Sequence, residues 1–142
     1  MDVVMENLFV GRDLYTKMLG GLCEKYKLTL SEILVLLFLA NNKEYDTAKD
    51  IVNKLRLAKS HVSVSVRNLI ENGYLQGGYS GKDRRTIHLK LCEKSAPVVH
   101  DARERMDDFK SVVMNGFDAD DQQKFKFYLQ RVTENINIYI NG

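Results

Sequence analysis

Asp83, Arg84 and Arg85 stand together in SGKDRRTIHLKL, residues 80 to 91, behind a glycine and just before a run that alternates polar and apolar. Two adjacent cations at the tip of a loop, with a carboxylate beside them, suit recognition of a polyanion better than bond-making chemistry. A carboxylate opposes such binding unless it has an internal task. Asp83 lies two residues from Arg85, where it can hold that guanidinium or fix the loop, and so aim the cation. A second set of groups lies upstream in KSHVSVSVRNLIEN, residues 59 to 72. If this stretch is helical, Lys59, Ser60, His61, Ser63, Arg67 and Asn68 share its wet side, with Val64 exposed among them. Short polar side chains such as Ser60, His61 and Ser63 approach base edges closely in a major groove, while Lys59 and Arg67 reach phosphates.

Charge is distributed to match. The whole chain of 142 residues carries a net +2. From Arg56 to Lys90 there are seven cations (Lys82 among them) against two acids, Glu71 and Asp83, which leaves the remainder at −3. A basic segment in a faintly acidic frame is an electrostatic footprint for a nucleic acid. No Ser-His-Asp set, Gly-rich phosphate loop or metal-ligand spacing is present, so neither catalytic residues nor a metal or cofactor is expected. Cys23 and Cys92 lack CxxC or CxxH spacing and read as reduced, partly buried thiols. His61, His88 and His100 are scattered. The longest strongly apolar run, Ile33 to Ala40, is too short for a bilayer, and acids precede the first basic residue at the N-terminus. A cytoplasmic protein with no membrane partner is expected.

The elements that must position these groups follow from periodicity. Leu8, Arg12, Tyr15, Leu19, Leu22 and Tyr26 recur at steps of three or four and predict a helix over 5–26, with Gly20-Gly21 a weak point. Ser31 to Asn41 is apolar nearly all round and should lie inside a core, capped by Thr29 or Ser31. Thr47 and Asp50 resemble a capping box before the stripe Ala48, Ile51, Val52, Leu55. In the next helix Val62, Val66, Leu69 and Ile70 form the inner face and Gly73 the stop. The alternation SVSVSV also fits a strand, but Leu69-Ile70 and the glycine favour helix. Tyr74 to Tyr79 reads as extended and Ser80 to Arg85 as a turn. Ile87, Leu89 and Leu91 then alternate with Thr86, His88 and Lys90 in a strand. Two long helices close the chain, the first capped by Ser95 and ended by Gly116, the second capped by Asp118 with the stripe Phe125, Leu129, Val132, Ile136, Tyr139. The fold class is therefore mainly α with a small β-hairpin. Helix, short turn, helix and basic hairpin is the layout of a winged helix-turn-helix, whose second helix enters the major groove and whose hairpin tip enters the minor groove.

Residues 31 to 95 resemble the DNA-binding lobe of the multiple antibiotic resistance regulator (MarR) family. The likeness rests on TAKDIVNKL, KSHVSVSVRNLIENGYL and SGKDRRTIHLKL, above all the Asp-x-Arg of Asp83 and Arg85 after the Leu69-to-Gly73 helix end. It implies one domain over 1–142, with 31–94 as the winged lobe and helices in 1–30 and 95–142 for dimerisation. It also implies a homodimeric regulator, most simply a repressor, on a palindromic operator in double-stranded DNA, released by a small, frequently aromatic effector. Arg85 matches the minor-groove arginine and Asp83 its positioning partner; Lys82 and Arg84 flank them. Ser60, His61, Ser63 and Val64 fall on base-facing positions. The expected dimer contact comprises Leu8, Tyr15, Leu19, Phe125, Leu129, Val132, Ile136 and Tyr139, because a lone subunit would expose large apolar patches. Two departures stand out: Leu91-Cys92-Glu93-Lys94-Ser95 replaces the usual Leu-Thr-x-x-Gly, and Ala58 replaces a polar helix cap. The competing class is a protein-interaction module that keeps the fold without binding an operator.

Overall fold

A computed structural model describes residues 2–142. The chain divides into two compact units, residues 1–109 and 110–142. In the first, α1 (Val3–Tyr26), α2 (Leu30–Asn41), α3 (Ala48–Leu55) and α4 (Lys59–Glu71) precede the strands β1 (Leu75–Ser80) and β2 (Asp83–Leu91). A single 3-10 turn (Glu93–Ser95) leads into α5 (Ala96–Val113), and α6 (Ala119–Asn141) follows. Helix α1 runs through Gly20-Gly21 without a break.

The start and stop signals act as their chemistry requires. Thr29 accepts the Glu32 N–H at 3.1 Å while Glu32 accepts the Thr29 N–H at 2.8 Å, a complete capping box on α2. Thr47 and Asp50 make the same reciprocal pair on α3, showing that the shorter Asp still reaches. At the end of α4, Gly73 takes φ +79°. The Tyr74 N–H bonds the Leu69 carbonyl at 2.8 Å and the Gly73 N–H that of Ile70 at 3.1 Å, the two bonds of a Schellman stop. That stop settles the competition with a strand, because it satisfies carbonyls only a helix would orphan.

Helix α2 is the centre of the first unit. Ile33, Val35 and Leu36 are wholly buried, with Leu19 and Leu22 of α1, Ile51 of α3, Val62 and Leu69 of α4, and Val98 and Ala102 of α5 around them. Removing each of the valine, leucine and isoleucine side chains among them from water stabilises by roughly 1.5–3 kcal/mol. Arg103 of α5 closes the C-terminus of α2, donating to the Asn41 side chain at 3.0 Å and the Ala40 carbonyl at 3.2 Å. Near the other end, Asp101 of α5 accepts from Lys25 at 2.8 Å and Tyr26 at 2.6 Å.

Four expectations need correction. Leu19 is 0% exposed inside its own subunit, so it has no surface for a dimer partner. The inner face of α4 includes Ser65 beside Val62 and Leu69; Val66 is half-buried against the core, and Ile70, at the edge of the stripe, is 39% exposed. Ser95 does not cap α5: it is buried in the 3-10 turn, and its hydroxyl donates to the Cys92 carbonyl at 2.6 Å. The hairpin tip is shorter than expected. Strand β2 already begins at Asp83, and Ser80 pairs with Asp83 across a two-residue turn, Gly81-Lys82. Extra residues in β2 between that pair and Gly78–His88 break the register. Leu89 is buried, whereas Ile87, on the same face but beyond the last regular pair, is 50% exposed.

In the second unit Asp118 caps α6 through a box with Asp121, and Phe117 packs edge-on against Phe125. No α6 residue is buried.

Candidate nucleic-acid interface

Two elements present the basic segment. Helix α4 is anchored through Val62, Ser65, Val66 and Leu69, so its opposite side turns outward. Lys59, Ser60, His61, Ser63, Val64 and Arg67 are all exposed. A row of short side chains on a helix keeps its axis close to whatever it docks against, which is what reading base edges demands. Ala58 supplies no side-chain cap, so the positive end of the helix dipole is not neutralised there.

The turn between α3 and α4 is three residues, Arg56 to Ala58, and it depends on Arg56 adopting φ +58°. Its N–H bonds the Val52 carbonyl at 3.0 Å, closing α3 before the chain reverses into α4. Leu57 is half-buried and packs against the core, fixing the angle between the two helices.

At the wing, Asp83 Oδ1 accepts the backbone N–H of Arg85 at 2.9 Å and lies 3.6 Å from its Nε. The first contact fixes the backbone that bears Arg85. The second is a long ion pair that biases the guanidinium without holding it, and the Arg85 side chain remains 95% exposed. Arg84 is directed elsewhere, its guanidinium 5.4 Å from the centre of the Tyr79 ring. Lys82 is exposed in the turn. Of these contacts the Arg84–Tyr79 pair was missed from sequence, since the pairing depends on the slipped register.

The hairpin root is tied to the helices through Asp46, in the loop before α3. Its carbonyl accepts the Leu89 N–H at 2.7 Å, and its carboxylate meets His88 Nδ1 at 2.8 Å. Both contacts span more than forty residues of sequence and had no local signal. The expected dimer residues divide: Leu8, Leu129, Val132, Ile136 and Tyr139 are exposed, Tyr15 and Phe125 half-buried, and Leu19 internal.

The thiols are half-buried, and burial pushes Cys23 up from its ordinary range, away from the thiolate. Ligand atoms of His100, Asp101 and Glu104 lie within 4.8 Å of one another, but Asp101 is already engaged by Lys25 and Tyr26.

Helix-turn-helix and two-stranded wing define a winged-helix protein of the type found in transcriptional regulators. The fold is that of solved MarR-type proteins. A putative MarR family regulator from Listeria monocytogenes, complexed with 26-mer DNA, matches with TM-score 0.85 and 18% identity over 96% of this chain and 89% of that one. The S. aureus MepR–DNA complex matches at 0.78 and 15%, over 95% and 96%. Bordetella bronchiseptica BpsR, whose DNA binding is regulated by 6-hydroxynicotinic acid, matches at 0.73 and 15%, over 93% and 99%. No curated protein sequence matches the chain. The model of the SarA/Rot transcriptional regulators matches residues 17–102, more than half of the sequence, and the chain belongs to that family.

Proposed function

We propose that this transcriptional regulator acts as a homodimeric repressor on a palindromic operator. Ser60, His61, Ser63 and Val64 read the major groove, Lys59 and Arg67 bind flanking phosphates, and Arg85 enters the minor groove with Lys82 and Arg84 on the adjoining backbone. The observation that carries this reading is the pairing of an exposed polar α4 face with a wing arginine whose backbone is fixed by Asp83. The DNA complexes of the Listeria protein and of MepR support it. Residues 1–142 work as one regulatory domain, with 31–94 reading DNA and the helices of 1–30 and 95–142 joining the subunits. No helix among the described residues is long and apolar enough to cross a membrane, and the site of action is the cytoplasm. The BpsR precedent supports release by a small aromatic effector.

The test is selection of bound duplexes from a random pool, followed by titration against salt. A palindromic motif should emerge, and His61→Ala should change the preferred base at individual positions. Lys59→Ala should weaken all sequences alike and reduce the salt slope by about one. Binding without sequence preference at any salt concentration would overturn the proposal.

A further inference from the structure

His88 stands where the held part of the hairpin ends. Leu75 and Leu89 are buried at its root, whereas every residue from Tyr79 to Arg85 is exposed. Gly78–His88 is the last regular pair before the register breaks. Directly across from His88 the other strand therefore offers no side chain, and a Cβ at Gly78 would meet nothing within 4 Å. Cross-strand side-chain pairs stiffen a two-stranded ribbon, and a glycine weakens it. At this level His88 is braced by Asp46 instead, its Nδ1 lying 2.8 Å from Oδ1. A carboxylate only accepts, so Nδ1 carries the hydrogen.

Asp46 is a firm point to brace against. On one side of it the Tyr45 N–H bonds the Asn42 carbonyl at 3.0 Å; on the other, Thr47 begins the capping box that starts α3. The Asp46 carbonyl also takes the Leu89 N–H at 2.7 Å, so its backbone and side chain grip adjacent residues of β2. The backbone bond sets how far the strand lies from the start of α3, and the side-chain bond resists rotation about it. Both side chains are more than a third exposed, and ion pairs in that setting contribute little to global stability. The grip is suited to setting an angle rather than to holding the fold together. Arg85 lies three residues further on, roughly 10 Å along an extended strand. A tilt of about 10° at His88 moves it by about 2 Å, well beyond the ~0.5 Å spread of hydrogen-bond distances.

We propose that Asp46 and His88 are positioning residues for DNA recognition: together they fix the tilt of the wing against the helix-turn-helix, and so set where Arg85 arrives while α4 lies in the major groove. Neither residue touches DNA in this role. Asp83 fixes the backbone of Arg85 within the tip, and the Asp46–His88 pair fixes the tip relative to the helices. The consequence for DNA rests on the function proposed above; the fixing of the wing does not.

The experiment is therefore read first without DNA. Backbone 15N relaxation of the full chain should show order parameters of Tyr79 to Thr86 falling in His88→Val and in Asp46→Ala, with those of α3 and α4 unchanged. His88→Asn, whose amide nitrogen can take the place of Nδ1, should keep the tip as ordered as in the unaltered protein. Melting curves should stay close to that of the parent in all three variants. On duplexes selected from a random pool, Arg85→Ala should weaken the unaltered protein on the order of tenfold or more, but the His88→Val variant by only about twofold, because a loosened wing has already lost that contact. His88→Asn should restore the full effect of Arg85→Ala. An equally ordered tip in His88→Val and Asp46→Ala would overturn the clamp. A loosened tip with strictly additive losses for His88 and Arg85 would overturn its part in DNA recognition. If the unaltered chain selects no motif, the functional reading above fails, while the relaxation result still decides whether the pair fixes the wing.

Discussion

Arg85 and Asp83 show how a single carboxylate serves a cation-rich surface. The Arg85 side chain meets almost nothing in its own subunit, so its loss removes a contact to DNA and no part of the core. Arg85→Ala is expected to weaken specific operator binding by about 1–3 kcal/mol, with melting temperature unchanged. Asp83→Ala removes a negative charge from a DNA-facing tip, and simple Coulomb reasoning expects tighter binding. The 2.9 Å bond from the Arg85 N–H to Asp83 argues the reverse, because without it the two-residue turn no longer fixes where Arg85 emerges. Fluorescence anisotropy with a labelled operator discriminates these readings, and a gain of affinity in Asp83→Ala would reduce Asp83 to a repulsive bystander.

Helix α5 is joined to α1 by the trio Lys25, Tyr26 and Asp101, and to α2 by Arg103. Hydrogen bonds from Lys25 first and Tyr26 second hold the Asp101 carboxyl below its ordinary range, and the hydrogen bond to Asp101 raises Lys25. A lowered carboxylate contributes stability that is present above its unfolded-state value and lost as pH falls through the folded one. A raised lysine contributes stability that is complete below its unfolded-state value and lost as pH climbs through the folded one. The link therefore operates between the acid limb and the strongly alkaline limb. Asp101→Asn should lower the melting temperature at neutral pH, with the deficit shrinking in acid as the parent's own carboxylate protonates. A deficit independent of pH would mean that Asp101 acts by packing alone.

The whole molecule leaves apolar surface uncovered on α6. Leu129, Val132 and Ile136 are about half exposed and Tyr139 is 89% exposed, while Val3, Val4 and Leu8 of α1 are likewise bare. Patches of this kind mark association surfaces. A two-fold dimer would cover them with roughly 2,000 Å² or more in total and present two α4 helices to successive major grooves, ~34–36 Å apart. Leu129→Asp or Ile136→Asp is expected to halve the mass in solution or leave the chain insoluble, with operator binding lost in both cases. Light scattering of the unaltered protein at micromolar concentration reads the same question directly: a monomer there would remove the dimer and the palindrome together.

Sequence by itself determined the order and type of every long element, because each rests on signals within a few residues. Capping boxes at Thr29, Thr47 and Asp118, the Gly73 stop and the apolar stripes all act over one or two turns. The outward set on α4 and the Asp-x-Arg of the wing were legible for the same reason. Tertiary structure decided what depends on distant partners. Leu19 belongs to the stripe that suggested a dimer contact, yet packing in its own subunit claims it, and periodicity cannot say which neighbour a stripe meets. Ile87 has the right parity for the core and its side chain reaches Gly77 on Leu89's face, but it lies toward the hairpin tip, beyond the last regular pair Gly78–His88, and stays half exposed. The grip of Asp46 on His88 and Leu89 joins residues more than forty positions apart, which only the closed chain brings within bonding distance.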